Sequence, residues 1–123
     1  MEKQKFTFIV DNYQKVRGGW SKFLNLYCTY CGYHVMLYQK DGPGPLMRSY
    51  LDRILAPADL ADLKNKKKVP EVHCKHCGRL LGIPGIYDEE SRPAIFWLAY
   101  VIQQRVSTGV YPPKVEKIEY KLP

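Results

Sequence analysis

The segment CTYCG at residues 28–32 recurs as CKHCG at residues 74–78, so the chain carries the pattern C-x-x-C-G twice. Two cysteines separated by two residues can bind one metal ion when the backbone between them forms a tight turn, here called a knuckle. The glycine after the second cysteine favours such a turn, because glycine adopts positive φ without a Cβ penalty. Two knuckles supply four sulfur atoms, a complete tetrahedral shell for Zn²⁺. We therefore predict one structural zinc ion held by Cys28, Cys31, Cys74 and Cys77.

Alternatives to this site involve the metal, the state of the thiols or the ligand set. Iron is a second candidate metal, because tetrahedral sulfur also suits iron. Disulfide bonds are a second candidate state, but the N-terminal sequence has no signal-peptide pattern and we expect a cytoplasmic protein. Three histidines lie near the cysteines in sequence and are alternative ligands, although four thiolates already saturate zinc: His34, His73 and His76.

The paired knuckles resemble the zinc-ribbon superfamily, whose members hold one structural zinc ion between two hairpins with C-x-x-C-type turns. The resemblance covers Cys28–Cys31 and Cys74–Cys77 with their flanking strands, less than half of the chain. It implies a metal and a fold type. Zinc ribbons occur in transcription factors, ribosomal proteins, tRNA-modifying enzymes and protein adaptors, so the resemblance implies no single function. The chain departs from a compact ribbon because 42 residues separate Cys31 from Cys74.

Length and composition favour one mostly β domain. The chain has 123 residues, enough for a single domain with a modest core, and we place its metal-binding part at about residues 20–86. Nine glycines and nine prolines favour turns over long helices. We predict an α+β, mostly β fold, in which zinc-ribbon-like hairpins carry one or two short helices between the knuckles. The longest apolar run, Ala94–Ile102, has nine residues and is too short to span a membrane.

Alternating apolar residues predict strands around the first knuckle and near both chain ends. The predicted strands cover residues 5–10, 20–27, 33–40 and 117–122, and the first and last of these could pair with each other. Residues 94–106 fit a buried strand by side-chain type and a helix by their flanking charges, and we favour the strand. The remaining predictions are a helical turn at residues 58–63, a turn at residues 83–86 and an exposed acidic loop at residues 87–91.

The segment between the knuckles begins with an unusual loop, Asp41–Pro45 (DGPGP). Alternating glycine and proline suit neither a helix nor a central strand, so we predict a stiff turn. Apolar residues in Leu46–Leu55 recur at helical spacing and predict a helix. The start of that helix, with Lys40, Arg48 and Arg53 nearby, is a candidate phosphate site, and a purely structural turn is the alternative.

The positive charge is concentrated in the middle of the chain. The net charge is +7, and residues 12–87 hold twelve basic and five acidic residues, whereas residues 1–11 and 88–123 are each balanced. Such asymmetry is typical of proteins that bind nucleic acid, and it also serves solubility. We predict a nucleic-acid partner, with RNA favoured over DNA. The predicted contact residues are Lys40, Arg48, Arg53, Lys66, Lys67, Lys68, Lys75 and Arg79 for phosphates, and Tyr30, Tyr33 and Tyr38 for unpaired bases.

Two other functional classes stay open at this point. The chain could be a protein-interaction module or adaptor subunit without nucleic-acid contact, with Trp20 and Trp97 as interface anchors. Enzymatic activity has little support, because a closed four-thiolate site leaves no position for a metal-bound water and the sequence has no nucleotide or catalytic-triad motif. Carboxylates distant in sequence can still converge in space.

Overall fold

A computed structural model describes residues 2–119, and over these residues the chain is mostly antiparallel β structure. The helices are α1 (Asn12–Lys15) and α2 (Ala58–Ala61), and 3₁₀ turns cover Leu51–Arg53 and Asp62–Asn65. The predicted α+β, mostly β class is confirmed, although only α2 lies between the knuckles. The strands are β1 (Gln4–Lys5), β2 (Ser21–Cys28), β3 (His34–Asp41), β4 (Arg48–Tyr50), β5 (Ile54–Ala56), β6 (Val72–His73), β7 (Leu80–Tyr87), β8 (Arg92–Trp97), β9 (Ile102–Ser107) and β10 (Val110–Tyr111).

The first sheet has the strand order β5-β3-β2-β9 and contains the first knuckle, in the turn between β2 and β3. Successive side chains of β2 point to opposite faces, and both faces are covered. Leu24 and Leu26 belong to the main hydrophobic core, whereas Phe23 packs in a second, smaller cluster with Leu37. This two-sided burial accounts for the apolar character of β2 and β3, the two strands that the sequence predicts best.

The second sheet has the strand order β4-β8-β7-β6 and contains the second knuckle, between β6 and β7. Leu81 of β7 and Ile95 of β8 are fully buried and join the same core as the first sheet. Cys28 and Cys74 are members of this core. Each sheet therefore carries one knuckle, and the core between the sheets brings the two knuckles together.

A buried ion-pair network connects segments that are distant in sequence. Arg53 is 1% exposed, and its guanidinium contacts Asp41 at 2.9 Å and Asp11 at 2.6 Å. The guanidinium of Arg92, which is 3% exposed, contacts Asp52 at 2.8 Å. Buried charges need such partners, because an unpaired ion in the interior is strongly destabilising. The network therefore stabilises the N-terminal segment against both sheets.

The predicted helix at Leu46–Leu55 is wrong. Residues 48–50 form β4, which pairs with β8, and residues 54–56 form β5, which pairs with β3. The 3₁₀ turn between them takes the chain from one sheet to the other. Apolar residues in adjacent pairs suit a helix face, but backbone hydrogen bonding at two sheet edges decides the structure here. The expected helix N-terminus for a phosphate does not form.

Other boundaries also differ from the predictions. Residues 83–86 lie inside β7 and do not form a turn, because Pro84 pairs opposite Ile95 within the sheet. The predicted strand at 94–106 is correct in type, but a turn at residues 98–101 divides it into β8 and β9, one in each sheet. The predicted acidic loop is not fully exposed, because Glu90 is half-buried and forms an ion pair with Arg17.

The two chain ends pair differently from the prediction. Of residues 5–10 only Lys5 is in a strand, and β1 pairs with β10 at Val110–Tyr111. Of residues 117–122, Lys117 forms a single bridge with Tyr33, and residues 120–122 lie outside the described range. The end of the described chain thus contacts the first knuckle. The predicted helical turn at residues 58–63 is confirmed by α2 and the 3₁₀ turn that follows it.

Candidate metal centre

The two knuckles have the same backbone geometry. In the first, the Gly32 N–H donates to the Cys28 carbonyl at 2.7 Å, and in the second, the Gly78 N–H donates to the Cys74 carbonyl at 2.8 Å. The φ values of the two glycines are +81° and +80°. Positive φ is the conformation for which the sequence pattern requires glycine, and this prediction is confirmed.

The four sulfur atoms form one compact group. The Cys28 and Cys77 Sγ atoms lie 3.8 Å apart, the Cys31 and Cys74 Sγ atoms lie 3.5 Å apart, and all four lie within 4.8 Å of one another. Zn–S bonds of about 2.3 Å place tetrahedral sulfur atoms about 3.8 Å apart. Disulfide bonding requires about 2.0 Å, so the cysteines are free thiols in metal-binding geometry. The predicted cluster of four cysteines is confirmed, and none of the four forms a disulfide bond in this structure.

Burial and backbone hydrogen bonds affect the thiols in different ways. As a free thiol, Cys31 has its pKa raised to about 12, with burial as the main cause. Burial also raises the pKa of Cys28. At Cys74 burial acts in the same direction, but hydrogen bonds from the backbone N–H groups of Cys77 and His76 outweigh it and lower the pKa. Hydrogen bonds from these N–H groups stabilise the thiolate form of Cys74 in the second knuckle.

The three histidines lie outside the sulfur cluster. Among the described residues, the group suited to a metal ion consists of the four cysteines. The His34 Nε2 atom hydrogen-bonds to the Asn25 side-chain oxygen at 2.8 Å, and burial lowers the pKa of His34 to about 4. The His73 Nδ1 atom lies 3.2 Å from the Gly78 carbonyl oxygen, and the His76 ring stacks on Tyr33. The mixed thiolate–imidazole alternative therefore has no geometric support.

One contributor to the site is missed by sequence reasoning: the segment that ends the described chain. The His34 N–H donates to the Glu116 carbonyl at 2.8 Å, and the Ile118 N–H donates to the Gly32 carbonyl at 2.8 Å. Residues 116–118 thus run along the first knuckle. Alternation in residues 117–122 predicts extended chain, but nothing in that pattern identifies the knuckle as its partner.

Three of the predicted nucleic-acid contacts are buried, which corrects that part of the prediction. Tyr38 is 2% exposed, Lys40 is 8% exposed and Arg53 is 1% exposed. The Tyr38 hydroxyl accepts the Tyr50 N–H, and Arg53 is enclosed in the ion-pair network. All three side chains face inward because β3 and the following turns are covered on both sides. None of them lies on the exposed surface, and Tyr38 and Lys40 line a pocket beside the Asp41–Pro45 loop.

The other predicted contacts fall into separate groups. Lys66, Lys67 and Lys68 are exposed in the connection to β6. The exposed Lys75 forms an ion pair with Asp59, and the half-buried Arg48 packs on the Tyr87 ring.

The structure brings three aromatic rings of the knuckles into cation–π or stacking contacts. The Arg79 guanidinium carbon lies 3.6 Å from the centroid of the Tyr30 ring, which is 54% exposed. The Tyr33 and His76 ring centroids lie 3.3 Å apart with an interplanar angle of 12°. Each contact joins a residue of the first knuckle region to one of the second. The aromatic–cation surface therefore exists only when the two knuckles are together.

None of the helices in the described part of the chain has the length and apolarity needed to cross a bilayer. No known protein family, curated protein or solved structure matches this chain.

Proposed function

We propose that the chain is a non-catalytic, zinc-ribbon-like protein that binds single-stranded nucleic acid, RNA by preference, beside a structural zinc ion. The metal part of this proposal is supported by four free thiols with tetrahedral spacing and two matching turns. All four donors are sulfur, which suits zinc or iron, and a closed four-thiolate shell is typical of structural zinc. The ion would hold the two sheets together at the knuckles.

The observation that carries the nucleic-acid part is the contact between Tyr30 and Arg79. Tyr30 lies in the first knuckle, Arg79 follows the second, and both are exposed. A cation held on an exposed ring presents a phosphate contact and a stacking surface within a few ångströms of each other, the combination used to bind unpaired bases and their backbone. The exposed lysines Lys66–Lys68 extend the positive charge toward β6.

Metal binding is tested first. Elemental analysis of protein made without added metal should show about one zinc per chain, because a closed four-thiolate site has high affinity. Chelation should lower the melting temperature and, with it, nucleic-acid binding, since the Tyr30–Arg79 pair spans both knuckles. Iron in place of zinc would change the metal assignment, and metal-free protein with two disulfides would contradict it.

Nucleic-acid binding is tested by its salt dependence. Each phosphate contact on a single strand contributes about −0.7 to the slope of log affinity against log salt, so four to six contacts give roughly −3 to −4. Replacing Lys66, Lys67 and Lys68 by alanine should make the slope less negative by about 2. Lys114→Ala, an exposed lysine in the charge-balanced C-terminal part, is the control and should have little effect.

The stacking contact has its own variant. Tyr30→Ala should weaken binding by about 1–3 kcal/mol with an unchanged salt slope, because an aromatic stack involves no counterion release. Metal content should stay at one ion per chain, since Tyr30 supplies no ligand. Absence of RNA and DNA binding at about 50 mM salt, where phosphate contacts are strong, would reject the nucleic-acid function.

A protein partner is the second candidate function, and a specific surface favours it. Tyr100 is 86% exposed and has a φ of 62° at the β8–β9 turn, where the Thr29 hydroxyl donates to its carbonyl at 2.7 Å. With the exposed Met47 and Leu98 it lines a groove of about 340 Å³. Of the two tryptophans, Trp20 is 46% exposed, whereas the half-buried Trp97 donates a hydrogen bond to Ser49. Capture of a partner that survives RNase and high salt would favour this function.

A further inference from the structure

A pocket beside the DGPGP loop contains two cations that have no carboxylate partner in the described part of the chain. Its volume is about 230 Å³, and its lining includes Arg17, Lys40, Asp41, Arg48 and Tyr50. Ligand sites for drug-sized molecules occupy about 300–1,000 Å³, so this pocket suits a smaller group.

The charged side chains that line the pocket are Arg17, Lys40, Arg48 and Asp41, so three positive charges face one negative charge. Arg17 pairs with Glu90, and Asp41 pairs with Arg53, which also contacts Asp11 and Asp52. Over residues 2–119 neither Lys40 nor Arg48 forms an ion pair with a carboxylate.

Lys40 is the more buried of these two cations, at 8% exposure. Burial lowers its pKa, the nearby charges of Lys22 and Arg17 lower it further, and the Asp41 carboxylate acts in the opposite direction. Asp41 forms its ion pair with Arg53, and a buried cation that lacks an ion-pair partner is unfavourable unless an anion joins it.

The pocket also holds unused hydrogen-bond donors. The Arg48 Nε atom is buried and has no acceptor among the described residues. The Tyr50 hydroxyl oxygen accepts from Arg17 and Arg48, and the Tyr38 hydroxyl oxygen accepts the Tyr50 N–H, so each hydroxyl keeps its hydrogen to donate. The Lys40 ammonium gives one of its three protons to the Gly42 carbonyl. Free donor hydrogens around this pocket therefore come from Lys40, Arg48, Tyr38 and Tyr50.

We propose that this pocket binds a phosphate monoester, with Lys40, Arg48 and the hydroxyls of Tyr38 and Tyr50 as its donors. A phosphate monoester carries nearly two negative charges at pH 7 and three acceptor oxygens, which match the two unpaired cations and the free donors. A phosphodiester carries one charge and matches less well. This site is separate from the Tyr30–Arg79 surface, and it does not depend on the function proposed above.

The test uses the metal-loaded full chain with inorganic phosphate and adenosine 5′-monophosphate as probes, measured by calorimetry and by the melting temperature. Lys40→Met should weaken phosphate binding about thirty-fold or more, because it removes a buried charged partner. Its melting temperature without phosphate should stay level or rise, since an unpaired buried cation is lost. Lys66→Met, an exposed lysine outside the pocket, should bind phosphate as the unchanged protein does.

Arg48 is left unchanged, because its side chain also packs on Tyr87 and Phe96 and its loss would disturb the fold. A variant of Tyr50, whose hydroxyl accepts a hydrogen bond from Arg48, tests this side of the pocket instead. Tyr50→Phe removes one hydroxyl and should weaken phosphate binding about tenfold, the effect of losing one hydrogen bond to a charged group. Metal content of each variant confirms that the fold is intact.

Two comparisons identify the source of the phosphate. Tighter binding of adenosine monophosphate than of inorganic phosphate indicates a free phosphorylated small molecule. Tighter binding of a 5′-phosphorylated than of a 5′-hydroxyl oligonucleotide indicates a strand end. In either comparison, Lys40→Met must abolish the tighter binding. Absence of phosphate binding at about 10 mM, beyond the range of even weak sites, or binding by Lys40→Met equal to that of the unchanged protein, would overturn the proposal.

Discussion

Replacing Gly32 and Gly78 by alanine, one at a time, separates the local geometry of a knuckle from its tertiary surroundings. The two glycines follow the second cysteine of identical motifs and have nearly identical φ values, +81° and +80°. Alanine in either position is strained by about 1–2 kcal/mol, because the left-handed region brings Cβ close to the backbone. On local grounds alone the two variants should be equally destabilised.

The surroundings make them unequal. A Cβ on Gly78 meets nothing within 4 Å, whereas a Cβ on Gly32 would lie 2.0 Å from the Ile118 carbonyl oxygen. Because that atom belongs to the backbone, residues 116–118 must move away. The movement breaks the hydrogen bonds Ile118 N–H to Gly32 and His34 N–H to Glu116, each worth about 0.5–1.5 kcal/mol. We therefore expect Gly32→Ala to lose about 2–5 kcal/mol and Gly78→Ala about 1–2 kcal/mol.

Urea unfolding of the metal-loaded proteins measures this difference. With an m-value of about 1–3 kcal/mol per molar urea, the midpoints of the two variants should differ by about 1 M. Neither glycine supplies a ligand, so both variants should keep one metal ion per chain. Equal destabilisation, or a larger effect at Gly78, would refute the packing of residues 116–118 on the first knuckle.

Three further predictions follow from buried or strained positions. Arg53→Met should destabilise the fold by about 3–5 kcal/mol, because it leaves the buried Asp41 carboxylate unpaired, and thermal unfolding measures the loss. The hydrogen bond from Arg17 lowers the pKa of Glu90 below its ordinary value of 4.5, so the stability that this pair contributes is complete above pH 4.5 and is lost as the pH falls through the lowered pKa. Glu90→Gln should flatten the pH dependence of the urea midpoint in that acidic range, and an unchanged pH profile would contradict it. Gly44→Val should lose about 1–2 kcal/mol from its φ of +105° alone, since nothing lies within 4 Å of its Cβ, and an unchanged melting curve would show that this loop relaxes freely.

Sequence patterns predicted best where structure depends on near neighbours along the chain. Strands β2 and β3, the stiff turn after β3 and the helical turn at α2 all appear close to their predicted positions. Sequence patterns fail where a segment is short and the strand that pairs with it is distant in the chain. Residues 46–55 have helical spacing, yet the open edges of two sheets provide better backbone hydrogen bonding, and the segment becomes β4 and β5.

Three of the predicted surface contacts failed for the same reason. The identity of a polar side chain does not show whether that side chain is exposed or buried in the folded protein. Lys40, Arg53 and Tyr38 are buried because β3 is covered on both faces and because carboxylates from other segments compensate Arg53. Sequence alone contains no signal for that compensation, since Asp11 and Arg53 are 42 residues apart.

The two knuckles follow from the sequence alone: where the paired cysteines lie, where the chain turns, and that a glycine with positive φ ends each turn. These features depend on five consecutive residues and on the steric limits of φ. Three features come from tertiary packing: each knuckle belongs to a different sheet, Gly32 lies against Ile118 while Gly78 is open, and Tyr30 contacts Arg79. These contacts join residues far apart in the chain, and they form only when the shared core brings the two sheets together.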